Sequence, residues 1–173
     1  MSKAKPKAST PLVAVTQTDT ETRATSEHAP DLRLWLRLLA CTNLIEGEIR
    51  SRLRTEFDIT LPRFDLMAQL ERMPQGLRMG ELSKRMMVTG GNVTGITDQL
   101  VAEGLIVRED NPQDRRAYIV KLTAEGRRVF RQMAEAHEKW IVELFGGMGE
   151  KDRTQLYGLL AQLKTHAAKV TKR

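Results

Sequence analysis

The sequence predicts a mainly α-helical chain with one small β-hairpin, and three observations predict it. Apolar residues recur at helical spacing through most of residues 31–170. That period gives way once, between Leu105 and Thr123, to the alternation of β-branched and polar residues expected of strands. The helical patterns just ahead of the switch are short and close-set, so the hairpin follows two small helices joined by a tight turn.

The first helix begins at Asp31, which follows Pro30 and can cap it, and runs to about Phe57. Leu32, Trp35, Leu39, Thr42, Ile49 and Leu53 form one stripe, while Leu34, Leu36, Leu38, Cys41, Leu44 and Ile45 form a second. A helix so broadly apolar must be covered on more than one side. Gly47 in its middle costs roughly 1 kcal/mol against alanine, so close packing or a bend is expected there. Pro62 starts a second helix carrying Phe64, Met67, Ala68 and Leu70, and Pro74 with Gly76 stops it. "RMGELSKRMMV" is a third, about two turns long, with Leu82 and Met86 inward. A fourth has Thr89 as a candidate cap, Val93, Ile96, Leu100 and Val101 at helical spacing, and Gly104 at its end. "LIVRED" and "RAYIVKLT" are strands, joined by a turn through Pro112. Thr123 with Gly126 opens a fifth helix reaching Gly146-Gly147, and Leu156, Leu159, Leu160, Leu163 and Ala167 mark a sixth. This order is the outline of a winged helix-turn-helix.

Composition narrows the function. The 173 residues suffice for one domain of ordinary size with a real core. The formal net charge is +6, and residues 72–131 alone hold eleven basic side chains against seven acidic ones, an excess that suits a polyanion. A single cysteine, Cys41, excludes an intrachain disulfide and fits a reducing cytoplasm. No apolar run approaches a membrane span. Residues 1–29, rich in Ser, Thr, Ala, Pro and Lys, read as a disordered tail that carries no secretory signal.

In a helix-turn-helix the second helix enters the major groove, so its N-terminal side chains should be small or polar. "TGGNVT" meets that requirement: Asn can read adenine bidentately and Thr can touch a thymine methyl. The same residues are also ordinary helix caps, so this stretch alone leaves both readings open. The hairpin tip adds Arg115 and Arg116, able to enter a narrow minor groove, with Asp114 beside them to aim one by a bidentate pair. A solvated turn would not account for such a tip following a helix with a reading-competent start.

The stretch "NVTGITDQLVAEGLIVREDNPQDRRAYIVKLTAEG" resembles the MarR family of bacterial winged-helix transcription regulators, whose signature joins N-x-T-x-x-x-D-x-L-x-x-x-G-L-I/V-x-R to P-x-D-R-R and then L-T-x-x-G. The resemblance extends over about residues 31–170. It implies a homodimer whose first, fifth and sixth helices interlock. Residues 30–58 and 123–170 would be the helical dimerisation region, and residues 59–122 the DNA-binding domain. Contacts to double-stranded operator DNA would fall on Gly91, Asn92, Thr94 and Thr97, on Asp114, Arg115 and Arg116, and on Ser83 and Lys84 as phosphate contacts. "TGGN" lacks the arginine or lysine that many relatives carry there.

The resemblance also implies a small anionic or phenolic effector, with no cofactor and no metal. Arg33 and Arg37, four apart on one helix face, with Trp35, Leu38, Phe64 and Met67, are the candidates for its pocket. The arginines could equally be a solvated edge and the apolar residues core. The run from Leu32 to Arg72 resembles the branch that controls catabolism of aromatic acids such as hydroxycinnamates and responds to their coenzyme A thioesters. Cys41 offers an alternative input, peroxide, but its apolar neighbours favour a buried, inert thiol. His28, His137 and His166 are too scattered to form a metal site. An enzyme is disfavoured because no nucleophile-base pair, phosphate loop or metal spacing appears. A non-enzymatic helical dimer would not need the wing arginines, and an RNA-binding form would want an aromatic platform.

Overall fold

The computed structural model describes residues 29–86, 90–111 and 114–171, with the backbone alone described at 90, 111 and 114–117. The tail assigned to residues 1–29, apart from Ala29, the cap assigned to Thr89 and the turn residues Pro112 and Gln113 lie outside the described residues. Six helices and three strands are described: α1 (Pro30–Phe57), α2 (Leu61–Glu71), β1 (Leu77–Arg78), α3 (Met79–Met86), α4 (Gly90–Ala102), β2 (Ile106–Asn111), β3 (Asp114–Leu122), α5 (Ala124–Leu144) and α6 (Glu150–Val170). The chain divides into two compact units, residues 1–44 and 45–173. The boundary falls inside α1.

In the first unit α1 begins at Pro30, so Asp31 lies inside the first turn, where its charge suits the helix start, rather than capping the helix as expected. Within this unit Ala40 is buried, whereas Leu32, Leu34, Trp35 and Leu44 are exposed. Cys41 is exposed too, which corrects the expected buried thiol. The residues beside a helical position in sequence do not share its face.

The second unit holds the core. Leu53, Leu66, Met67, Leu70, Leu82, Val93, Leu100, Ile106, Val120 and Met133 are fully buried, drawing together α1, α2, α3, α4, the hairpin and α5. An aromatic group lines one side: Phe64 lies 5.5 Å from Phe130 and 5.1 Å from His137, and Phe57 lies 6.2 Å from Trp140. Burial pushes the His137 imidazole below its ordinary pKa. Arg52 on α1, half-buried, donates to Glu48 and to Glu143 of α5, each at 2.6 Å. α1 ends where Asp58 turns left-handed at φ 50°, its N–H bonding the Arg54 carbonyl at 3.1 Å.

The sheet has the order β1-β3-β2 and is antiparallel throughout, with Leu77 opposite Val120, and Arg108 opposite Val120 from the other side. β1 was not expected. Two residues show no period, and Arg78 reads from sequence as the start of α3. Gly76, at φ 87°, makes β1 possible, because a Cβ there would lie 2.4 Å from Ile119 Cγ2 and 2.7 Å from the Val120 carbonyl oxygen. α6 has no buried residue, and Tyr157, Leu159, Leu160 and Leu163 are exposed along it.

Candidate nucleic-acid interface

α3 is fixed by its first turn. Glu81 accepts the Arg78 backbone N–H at 2.9 Å, a reach back from the third helical position that satisfies an orphan donor and holds the carboxyl below the usual carboxylate range. Leu82 anchors the inner face. Ser83 is half-buried, while Lys84 and Arg85 in the last turn are exposed, so Arg85 adds a second exposed cation beside Lys84 that the sequence reading did not single out.

α4 divides cleanly between two faces. Val93, Thr97 and Leu100, spaced four and three apart, are fully buried. Gly91, Asn92, Thr94 and Gly95 are exposed on the opposite side of the helix start, and a Cβ at Gly91 or Gly95 would meet nothing within 4 Å. Thr97 therefore corrects the sequence reading. It is 0% exposed, and its hydroxyl donates to the Val93 carbonyl at 2.7 Å, which satisfies the one polar group it buries. It packs the helix rather than touching a base.

Three devices tie α4 to the hairpin and to α5. Arg108 of β2 donates to Asp98 of α4 at 2.5 Å. Gly104, at φ 69°, closes α4 with the Leu105 N–H on the Leu100 carbonyl at 3.0 Å and its own N–H on the Val101 carbonyl at 2.9 Å, a double closure that delivers the chain into β2. Thr123 then caps α5 by accepting the Gly126 N–H at 2.9 Å, while its hydroxyl donates to the Gly104 carbonyl at 2.8 Å. Gly126 sits so close to β2 that a Cβ there would fall 1.8 Å from the Leu105 carbonyl oxygen. A further ion pair joins Arg63 of α2 to Glu103 at the end of α4. The wing backbone carries Asp114, Arg115 and Arg116 at the start of β3. Their side chains, and so the expected Asp114 pair, lie outside the described residues.

The geometry is shared with known proteins. A solved MarR family transcriptional regulator from Silicibacter pomeroyi is 34% identical, with 79% of this chain and 94% of that one aligned at a TM-score of 0.69. This chain belongs to the MarR family. The family model matches residues 57–117. An uncharacterised HTH-type transcriptional regulator of Bacillus cereus is 28% identical over 137 residues, 79% of this chain and 90% of its own length. A MarR family regulator from Streptomyces coelicolor, solved in complex with DNA, shares the fold at 23% identity and a TM-score of 0.70, over 79% of this chain and 87% of that one. The present chain is thus a transcriptional regulator of the MarR type, and its relatives are regulators rather than enzymes.

Within this MarR chain the signature residues separate by role. Asn92 and Thr94 stand on the exposed face, whereas Asp98, Leu100, Gly104, Arg108, Thr123 and Gly126 build the frame beneath it. The effector candidates separate as well. Arg33 and Arg37 are exposed, Trp35 is 54% exposed and Leu38 half-buried, all in the first unit. Phe64 and Met67 are core residues of the second unit, with Met67 fully enclosed, so neither presents a surface to a ligand. A concavity not foreseen in the sequence lies elsewhere in that unit. Arg50, Arg54, Thr60, Leu61, Pro62, Gly91, Asn92, Gly95, Ile96 and Gln99 line a concavity of about 630 Å³. Two arginines one turn apart and the start of α2 face it, an arrangement favourable to an anion. Glu46, 3.7 Å from Arg50, tempers that charge and, after burial, helps hold the Asp65 carboxyl above its usual range. Among the described residues no His, Cys, Asp or Glu cluster could hold a metal, and no helix is long and apolar enough to cross a membrane.

Proposed function

We propose that this protein is a homodimeric, cytoplasmic repressor that leaves a palindromic operator when a small aromatic acid, as its coenzyme A thioester, is bound. The observation that carries the DNA reading is the exposed start of α4: small and polar side chains at Gly91, Asn92, Thr94 and Gly95 above a frame tied to the wing. Asn92 and Thr94 read bases, Lys84 and Arg85 hold phosphates, and Arg115 and Arg116 enter the minor groove. Residues 59–122 act as the DNA-binding domain, and residues 30–58 and 123–170 join two copies. The exposed apolar residues of α6 and of the start of α1 support the pairing, since such surface is otherwise costly to leave in water. Dimeric symmetry sets half-sites about one helical turn, ~10 bp, apart.

The arginine-lined concavity supports an anionic effector, because a ligand held by Arg50 and Arg54 would touch Gly91 and Asn92 and compete with DNA for them. The resemblance of residues 32–72 to regulators of aromatic-acid catabolism supports the thioester class. The exposed thiol of Cys41 favours peroxide as a second reading. A fluorescence-anisotropy titration on DNA from the protein's own upstream region tests all of these, with the thioester, the free acid and peroxide added in turn. Release by the thioester alone supports the full reading, and release by peroxide that is lost in Cys41→Ser transfers the input to Cys41. Binding without response to any of the three removes the effector assignment, and absence of sequence-specific binding at low salt removes the repressor.

A further inference from the structure

We propose that Tyr118 is a DNA-backbone contact that positions the duplex between the recognition helix and the wing; this rests on the operator-binding reading above. Residues that face each other across antiparallel strands share a side of the sheet, as do alternate residues along one strand. By the observed register Tyr118 is opposite Asp110, and the next pair on that side is Val120 with Arg108. Val120, Leu122 and Ile106 on this side are buried in the core, and Arg108 reaches across to Asp98 of α4. Tyr118 thus stands on the side of the sheet that covers α4, one step further toward the wing turn, where the core has ended: it is 52% exposed.

That position has a consequence for any duplex engaged at both ends. The start of α4 addresses the major groove and the wing tip the adjoining minor groove, and two adjacent grooves are separated by one phosphate strand. A side chain set between the two readers meets that strand. Tyrosine suits the task, since its rigid ring projects a phenolic hydroxyl that donates to a phosphate oxygen. Asp110, the cross-strand neighbour, bears the like charge to a phosphate, so the hydroxyl is the donor available at that pair.

Tyr118→Phe keeps the ring and removes the donor, and Tyr118→Ala removes both. Operator affinity is measured by anisotropy for the full-length protein and both variants across a salt series, with ethylation interference locating the phosphates contacted. Tyr118→Phe is expected to bind at least about thirtyfold more weakly, since two hydrogen bonds are lost per dimer. It should weaken operator and scrambled duplex alike, lose interference at one phosphate per half-site, and leave the salt slope unchanged, because no cation is removed. Wild-type affinity and interference in Tyr118→Phe, with weakening only in Tyr118→Ala, would assign the ring to wing packing and overturn the proposal. If the wild type binds no operator at all, the parent reading fails and this contact falls with it.

Discussion

Gly126→Ala isolates the joint on which the wing, the recognition helix and α5 converge. The added Cβ would stand 1.8 Å from the Leu105 carbonyl oxygen and 2.8 Å from its carbon, where ordinary contact begins near 3.4 Å. Helix and strand must therefore separate by about 1.5 Å, in a core packed too densely to absorb the shift. Separation on that scale breaks the Thr123 N–H bond to the Leu105 carbonyl, now 3.1 Å, and the Thr123 hydroxyl bond to the Gly104 carbonyl, now 2.8 Å. Overpacking costs about 1–3 kcal/mol. The two hydrogen bonds add about 1 kcal/mol each, and the better helix propensity of alanine returns up to about 1 kcal/mol. The net expectation is a loss of about 2–5 kcal/mol, or a fall in Tm of roughly 4–20 °C for a chain of this length.

Urea denaturation followed by circular dichroism at one fixed chain concentration measures it, since a dimer's apparent stability depends on concentration. Gly95→Ala is the matched control. Its Cβ meets nothing within 4 Å, so it should gain up to about 1 kcal/mol of stability, while its methyl group on the exposed face weakens operator binding. A Gly126→Ala midpoint within about 1 kcal/mol of wild type would refute the reasoning, because the steric demand of the signature glycine would then not exist.

Three further outcomes are expected. Arg115→Ala with Arg116→Ala should leave the melting temperature unchanged and flatten the dependence of log K on log salt by about 3.6, four cations per dimer at roughly 0.9 each; an unchanged slope in the salt series would remove the wing from the interface. Because burial depresses the His137 pKa, the unfolded chain takes up this proton first. Stability contributed by the neutral ring is present above the unfolded value of about 6.5 and is lost as pH falls through the folded value. His137→Phe should remove that part of the pH dependence, read by denaturation between about pH 7 and pH 5, and an identical pH profile would show that the ring does not titrate differently on folding. Asp58→Gly, which relieves a left-handed residue at φ 50°, should stabilise by about 0.5 kcal/mol, and a loss of stability would mean that the Asp58 side chain contributes more than its backbone strain costs.

Element order was legible because it rests on periodicity, and periodicity is written in sequence. The helix starts and stops at Pro30, Pro62, Gly104 and Thr123 are likewise local chemistry. What escaped was decided by tertiary placement. Thr97 is polar, and its position three residues before Leu100 and four after Val93 gave its face away; its hydroxyl bonds a carbonyl of its own helix, so burial leaves nothing unsatisfied. Phe64 and Met67 are apolar, which fits a pocket wall and a core equally, and the core claimed them. Cys41 was judged by its neighbours along the chain rather than around the helix. The concavity with Arg50 and Arg54 could not be read at all, because α4, some thirty residues further along the chain, closes it against the joint between α1 and α2.

The division of α4 bears on how such regulators diversify. Its buried residues, Val93, Thr97 and Leu100, and its ties through Asp98 and Gly104 lie away from Gly91 and Gly95, where an added Cβ would meet nothing within 4 Å. Small side chains substituted at those two positions meet solvent instead of a neighbouring side chain's volume, so they stay clear of the stability threshold that removes most mutations. On the operator-binding reading proposed above, a duplicated copy of this gene would drift to a new operator through a handful of changes on one helix surface while inheriting its scaffold intact.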